Sequence, residues 1–293
     1  MKRAFPATLL LLAHAFLWTA SGRGQTFYFA DGRSMVVESP KVTDGDLVIP
    51  LRTGGGGAGS AEIRRPLSTI VRVDWPVPDA VAEAEKAAKT GASAGLLEKI
   101  DPLLLLQEPF RDVPGSWWSR AASLKAVVLA GLGKKAEARA MIGRMRDAKS
   151  REEDIVPAEV ALAGAMADSG EADEALARLD ALQKDALLDS SLASIAVARG
   201  RAWEKKGRFE DALLSYLRVS VFYPDEKEAV PAALEGTARA YEKMGDSVRA
   251  ALAQDALAAL KPKPAEEAPE PPKAAKRPKA PKPAEAEAAP DES

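Results

Sequence analysis

The stretch "WEKKGRFEDALLSY", Trp203 to Tyr216, spaces its apolar residues like a helix but carries Gly207 in the middle. Glycine inside a helix costs about 1 kcal/mol against alanine. Either this is one weakened helix with a hinge, or two helices meet at Gly207. Self-comparison of the chain decides. "GLGKKAEARAMIGRM" holds Gly133 and Ala138, and "DSGEADEALARLDAL" holds Gly170 and Ala175. "KKGRFEDALLSYLRV" holds Gly207 and Ala212, and "KMGDSVRAALAQDAL" holds Gly245 and Ala250. The gap from glycine to alanine is five each time, and successive glycines are 37, 37 and 38 residues apart. Gly207 is therefore expected between two helices, in a left-handed conformation just past the first.

Small Ala126, Ala163, Gly200 and Ala238 lie where the first helix of each pair must approach the second. Ala138, Ala175, Ala212 and Ala250 answer from the second helix. A hairpin with two apolar faces must stack on its neighbours to bury them. Counted from Ala193, the third unit has Gly200 at place 8, Trp203 at 11, Gly207 at 15, Ala212 at 20, Tyr216 at 24 and Pro224 at 32. This pattern resembles the tetratricopeptide repeat (TPR), in the looser form of exported, periplasmic bacterial proteins. The resemblance spans roughly residues 116 to 262. It implies a mainly α solenoid of helical hairpins that binds proteins without catalysing a reaction.

The same resemblance implies where a ligand lies. First helices line the concave side of such stacks, and the second, fifth, ninth, twelfth and thirteenth places hold the ligand. Those places include Arg201, Glu204 and Lys205 in the third unit, and Glu235, Arg239, Glu242 and Lys243 in the fourth. The resulting groove has mixed charge and suits a polar peptide or a protein surface. It does not match the carboxylate clamp of chaperone-binding relatives. Trp117 and Trp118 cannot both face one core, so one packs on the preceding hairpin and the other is a candidate contact.

Ahead of the clear units, residues 79–115 read as an irregular hairpin around Gly91, with Asp79 at its start and Pro102 interrupting its second half. "EPFRDVPGSWWSRA" reads as a loop with Ser116 as the next helix N-cap. "SREED" reads as another helix start, with Ser150 and Glu153 at capping-box spacing. Residues 25–76 differ in texture. Apolar, β-prone runs flank Asp31-Gly32 and Asp44-Gly45, a hairpin signal, and "STIVRVDW" supplies a further strand. Four or five short strands imply a small β module, either an SH3-like or Sm-like barrel or a curled antiparallel sheet. The loop "TGGGGAGS" has Gly54 and Gly59 at P-loop separation, but Ser60 and Ala61 stand where lysine and Ser or Thr are needed. No phosphate site is implied.

The ends and the composition bound the rest. A basic start, then "ATLLLLAHAFLWTA" and small residues, has the build of a secretory signal peptide over residues 1–24. The apolar run is shorter than the roughly 20 residues of a membrane span. Export would remove His14, the only histidine of the 293 residues, and the chain has no cysteine. That argues against histidine- or cysteine-based catalysis, the usual zinc sites, disulfides and a lipoprotein anchor. Loss of Lys2, Arg3 and Arg23 would leave 38 basic against 43 acidic residues, which disfavours nucleic acid. From Lys261 to Ser293 the chain is almost wholly Pro, Ala, Lys and Glu, and reads as a disordered tail that spaces the protein or touches peptidoglycan or another anionic surface. The expectation is an exported scaffold, not an enzyme, with no cofactor and a protein or peptide partner in the periplasm. An accessory role in peptidoglycan or polysaccharide processing and an oligomerising element are the competing readings.

Overall fold

The computed structural model describes residues 24–50, 62–90 and 93–260. Residues 1–23, read above as a signal peptide, the glycine-rich loop, Gly91 and the Pro-rich tail lie outside the described residues.

Six strands open the described chain: β1 (Gln25–Phe29), β2 (Ser34–Val37), β3 (Lys41–Thr43), β4 (Asp46–Pro50), β5 (Glu62–Pro66) and β6 (Ile70–Asp74). They form two three-stranded antiparallel sheets, in the orders β2-β1-β6 and β3-β4-β5. Asp44 and Gly45 both take positive φ, 53° and 81°, as a two-residue hairpin turn requires. Strand β5 falls in "EIRRP", where the sequence alone signals none. The signal is weak because only Ile63 faces the apolar interior, while the backbone register Ile49↔Ile63 on β4 defines the strand. Phe27, Phe29, Leu47, Ile49 and Val73 form the core of this region, and Phe110 and Val113, from the segment after the first helical hairpin, complete it.

Ten helices follow among the described residues. The first pair is α1 (Asp79–Thr90) and α2 (Ala94–Gln107). Pro102 does not interrupt α2, which runs through it. Pro102 is exposed, and buried Leu96, Ile100, Leu103 and Leu104 hold the helix on both sides. A single 3-10 turn, Glu108–Phe110, ends this pair.

Four hairpins make the solenoid: α3 (Trp118–Gly131) with α4 (Lys135–Asp147), α5 (Glu152–Asp168) with α6 (Ala172–Asp185), α7 (Asp189–Lys205) with α8 (Phe209–Phe222), and α9 (Ala229–Lys243) with α10 (Ser247–Ala259). The fold is a TPR-like solenoid preceded by a small β region. First helices pack side by side along the stack, α3 on α5, α5 on α7 and α7 on α9. Gly133, Gly170, Gly207 and Gly245 join the helices of each pair, with φ of 75°, 87°, 70° and 82°. At Gly207 the amide donates to Glu204 O (2.9 Å) and that of Arg208 to Trp203 O (3.0 Å). Those two bonds define a Schellman cap, which satisfies carbonyls left over at the helix end. The other three glycine turns carry the same pair of bonds. Ala138, Ala175, Ala212 and Ala250 are all buried, each on the second helix where the paired helix approaches.

Two helix starts differ from expectation. Helix α3 begins at Trp118 rather than directly after Ser116, and no side chain of its own turn caps it. The buried side chain of Gln107 does so from a distance, its Oε1 accepting from the Trp117 amide (3.2 Å). Ser150 and Glu153 form no capping box on α5. Ser150 Oγ instead meets Ser119 Oγ at 2.8 Å, and Glu153 pairs with Arg151 at 2.7 Å.

Candidate functional site

The first-helix face contains the seven charged candidates. On α7, Arg201, Glu204 and Lys205 fall at i, i+3 and i+4, so they share one side. On α9, Glu235, Arg239, Glu242 and Lys243 fall at i, i+4, i+7 and i+8 and do the same. Pairs between neighbouring helices tie this face together. Lys205 Nζ lies 2.6 Å from Asp168 of α5, and Arg239 lies 3.3 Å from Glu204. Glu242 accepts from Gln254 Nε2 of α10 at 2.8 Å. Further along, Arg120 of α3 lies 2.6 Å from Glu85 of α1. Arg201, Glu235 and Lys243 make no ion pair among the described residues, and Arg201 and Lys243 are exposed.

Beneath the Glu204–Arg239 pair lies Tyr216, fully buried. Its ring fills the space between Gly200 of α7 and Gly236 of α9. Burial, with the Glu204 carboxylate beside it, pushes the phenol well above its usual range, so it stays neutral. Burial works against the Arg239 charge, but Glu204 outweighs it and leaves the guanidinium more basic. The repeat pattern marks the small residue at Gly200; Gly236 carries no such signal, because its need arises from a ring on a different helix.

The two tryptophans lie in different surroundings. Trp118 has no exposed surface and belongs to the solenoid core, so it lines no groove. Its indole N–H donates to Glu108 Oε2 (2.7 Å), and Arg144 holds both oxygens of the same carboxylate at 2.7 and 2.8 Å. Burial acts to raise the Glu108 pKa, but these bonds and the charges of Arg144 and Arg111 outweigh it and lower it. Trp117 is half-buried and donates to the carbonyls of Trp75 (3.2 Å) and Pro76 (3.1 Å), where the β region enters the first helix. Both indoles are therefore engaged in joining elements of this chain.

Two buried carboxylates lie deeper. Glu159 of α5 is 1 % exposed and clamped by Arg146 of α4 and Arg178 of α6. This is an inter-helix tie. Asp154 at the start of α5 is 2 % exposed, with Arg120 and Arg151 only as near as 3.9 Å. Burial raises its pKa, and the two arginines offset this only in part. No group of His, Asp and Glu arranged to hold a metal occurs among the described residues.

No protein-family model matches the chain. No curated protein matches it either. Among solved structures, the TPR-like repeats of a putative kinesin light chain from Podosopora anserina are similar at 19% identity, with a TM-score of 0.42. The likeness covers 62% of this chain and 92% or 93% of that one, in two crystal structures of which one carries a point substitution.

Proposed function

We propose that the protein is a non-catalytic interaction scaffold that works in the cell envelope after export and holds a protein partner on its first-helix face. The observation that carries this reading is the state of the charges there. Three of the seven, Glu204, Lys205 and Arg239, are committed to neighbouring repeats and give the face a fixed pattern, while Arg201, Glu235 and Lys243 stay exposed for a partner. The unpaired charges add specificity because a mismatched partner leaves them unsatisfied. Export rests on the basic and apolar start of the sequence.

Crosslinking in cells, followed by identification of the captured proteins, tests the proposal. The Arg201→Glu, Lys243→Glu double variant should lower the yield of the principal crosslink at least tenfold with unchanged expression. An unchanged yield would remove the first-helix face from the function.

A further inference from the structure

Helix α8 has a second apolar side that the repeat does not require. Leu214, Leu217, Val221 and Phe222 fall at i, i+3, i+7 and i+8, a single stripe. Leu214, Val221 and Phe222 are about two-thirds exposed, at 68%, 66% and 67%. The two preceding hairpins are not apolar at these places, and α10 with its end matches only in part, with exposed Leu252 and Leu260 around Asp255 and Ala259. One period earlier α6 has Ala177, Asp180, Lys184 and Asp185, and two periods earlier α4 and its end have Ala140, Gly143, Asp147 and Ala148. Stacking therefore does not explain the stripe.

The stripe lines an open groove of about 490 Å³ together with Trp203 and Arg199 of α7. The groove is basic. Arg218 lines it and makes no ion pair among the described residues. Arg199 is mostly buried beside Asp180, and both burial and the repulsion of Arg218 make it less basic than usual. Lys206, which Asp173 pairs, and Arg208 stand 5.3 and 4.5 Å from the centre of the Trp203 ring. Asp211, the acid in the lining, is taken up by Arg208 at 2.6 Å. Asp180 already serves Arg199, so Arg218, with no acid of its own beside the apolar stripe, is the guanidinium that gains from an anion placed in the groove.

We infer that this second-helix groove docks an acidic amphipathic helix of a partner protein, with apolar residues on the α8 stripe and a carboxylate on Arg218. Helix-in-groove docking of this kind reads apolar anchors at i, i+3 and i+7. The inference rests on the scaffold reading but uses a different surface, so the two fail separately.

The test is a titration of the full chain with a labelled synthetic helical peptide of about 18 residues that has leucines on one face and flanking glutamates, followed by anisotropy. Saturable binding is expected, at least tenfold tighter than for the same peptide with lysine for glutamate. Arg218→Glu and Phe222→Ser change residues of the groove wall, and each should weaken binding at least tenfold. Arg201→Glu with Lys243→Glu, on the other face, should leave it unchanged. No saturable binding, equal binding of the lysine peptide, or indifference to Arg218→Glu and Phe222→Ser would overturn the inference. Tighter binding of a peptide of residues 264–271, PAEEAPEP, would also overturn it, in favour of the chain's own sequence as occupant.

Discussion

An ideal Cβ on Gly200 would stand 2.4 Å from Cε1 of Tyr216. Gly236, on the opposite side of the same ring, leaves no more room. The third and fourth repeats thus meet through a tyrosine held between two residues without side chains. The ring is rigid and buried, so it cannot swing away to admit a methyl group. Gly200→Ala and Gly236→Ala should each destabilise the fold by about 1–3 kcal/mol, the usual cost of overpacking. Thermal unfolding measures this. Pairing either change with Tyr216→Leu should recover part of the loss, since the smaller residue opens the space.

The turns offer a contrasting pair. At Gly207 nothing lies within 4 Å of an added Cβ, so only backbone strain opposes a side chain there. Gly207→Ala should cost about 1–2 kcal/mol. Lys149 ends α4 with φ 50° and the same two cap bonds, Lys149 N to Arg146 O and Ser150 N to Met145 O, both 2.9 Å. It is a Schellman turn without its glycine. Lys149→Gly should stabilise the chain by about 1 kcal/mol, read as a rise in the denaturant midpoint with an unchanged slope. An unaltered midpoint would mean that other contacts of Lys149 offset the strain.

The clamp on Glu159 gives the largest expected loss. Leaving a buried charge without its partners costs about 3–5 kcal/mol. Arg178→Ala together with Arg146→Ala does this to Glu159, which is 1 % exposed, and should lie in that range by chemical denaturation, while Glu159→Ala removes the buried charge itself and should cost less. Arg178, 22% exposed against 58% for Arg146, is the less hydrated partner, so Arg178→Ala should cost more than Arg146→Ala.

Two carboxylates should move stability with pH in opposite directions. Asp154 has a raised pKa, so the folded state holds its proton more tightly than the unfolded state. Its ionisation penalises the fold at neutral pH, and the penalty is relieved as pH falls through the folded pKa. Asp154→Asn should therefore raise the midpoint at about pH 7, and the gain should vanish below about pH 3, where both forms are neutral. Glu108 has a lowered pKa, so its contribution is present above the unfolded value and lost as pH falls through the folded one. Glu108→Gln should flatten the acid limb that Asp154→Asn steepens.

The repeats were legible because their punctuation is written in the backbone. A left-handed turn asks for glycine wherever it falls, so Gly133, Gly170, Gly207 and Gly245 announce it locally. Lys149 makes the same turn without the letter that signals it, and no local rule finds it. Gly236 was silent because its constraint comes from Tyr216, on another helix. Helix starts were misplaced where capping came from afar, as with Gln107 on Trp117, or where the candidate cap found another partner, as with Ser150 and Ser119. The charged candidates were legible as helix positions on one face. The pairs that commit Glu204, Lys205, Arg239 and Glu242, and the burial of Trp118, depend on packing between hairpins.

Phe110 and Val113 complete the interior of the β region, and the Val73 amide donates to Pro114 O at 2.9 Å. Gly115 allows that closeness, since a Cβ there would stand 2.1 Å from Val73 O. The front of the chain is consequently not a cassette. Cutting between the last strand and α1 would strip Phe110 and Val113 of their partners and leave both halves with an apolar wound. Transplanting the β region would have to carry the segment up to Gly115, and with it the whole first hairpin.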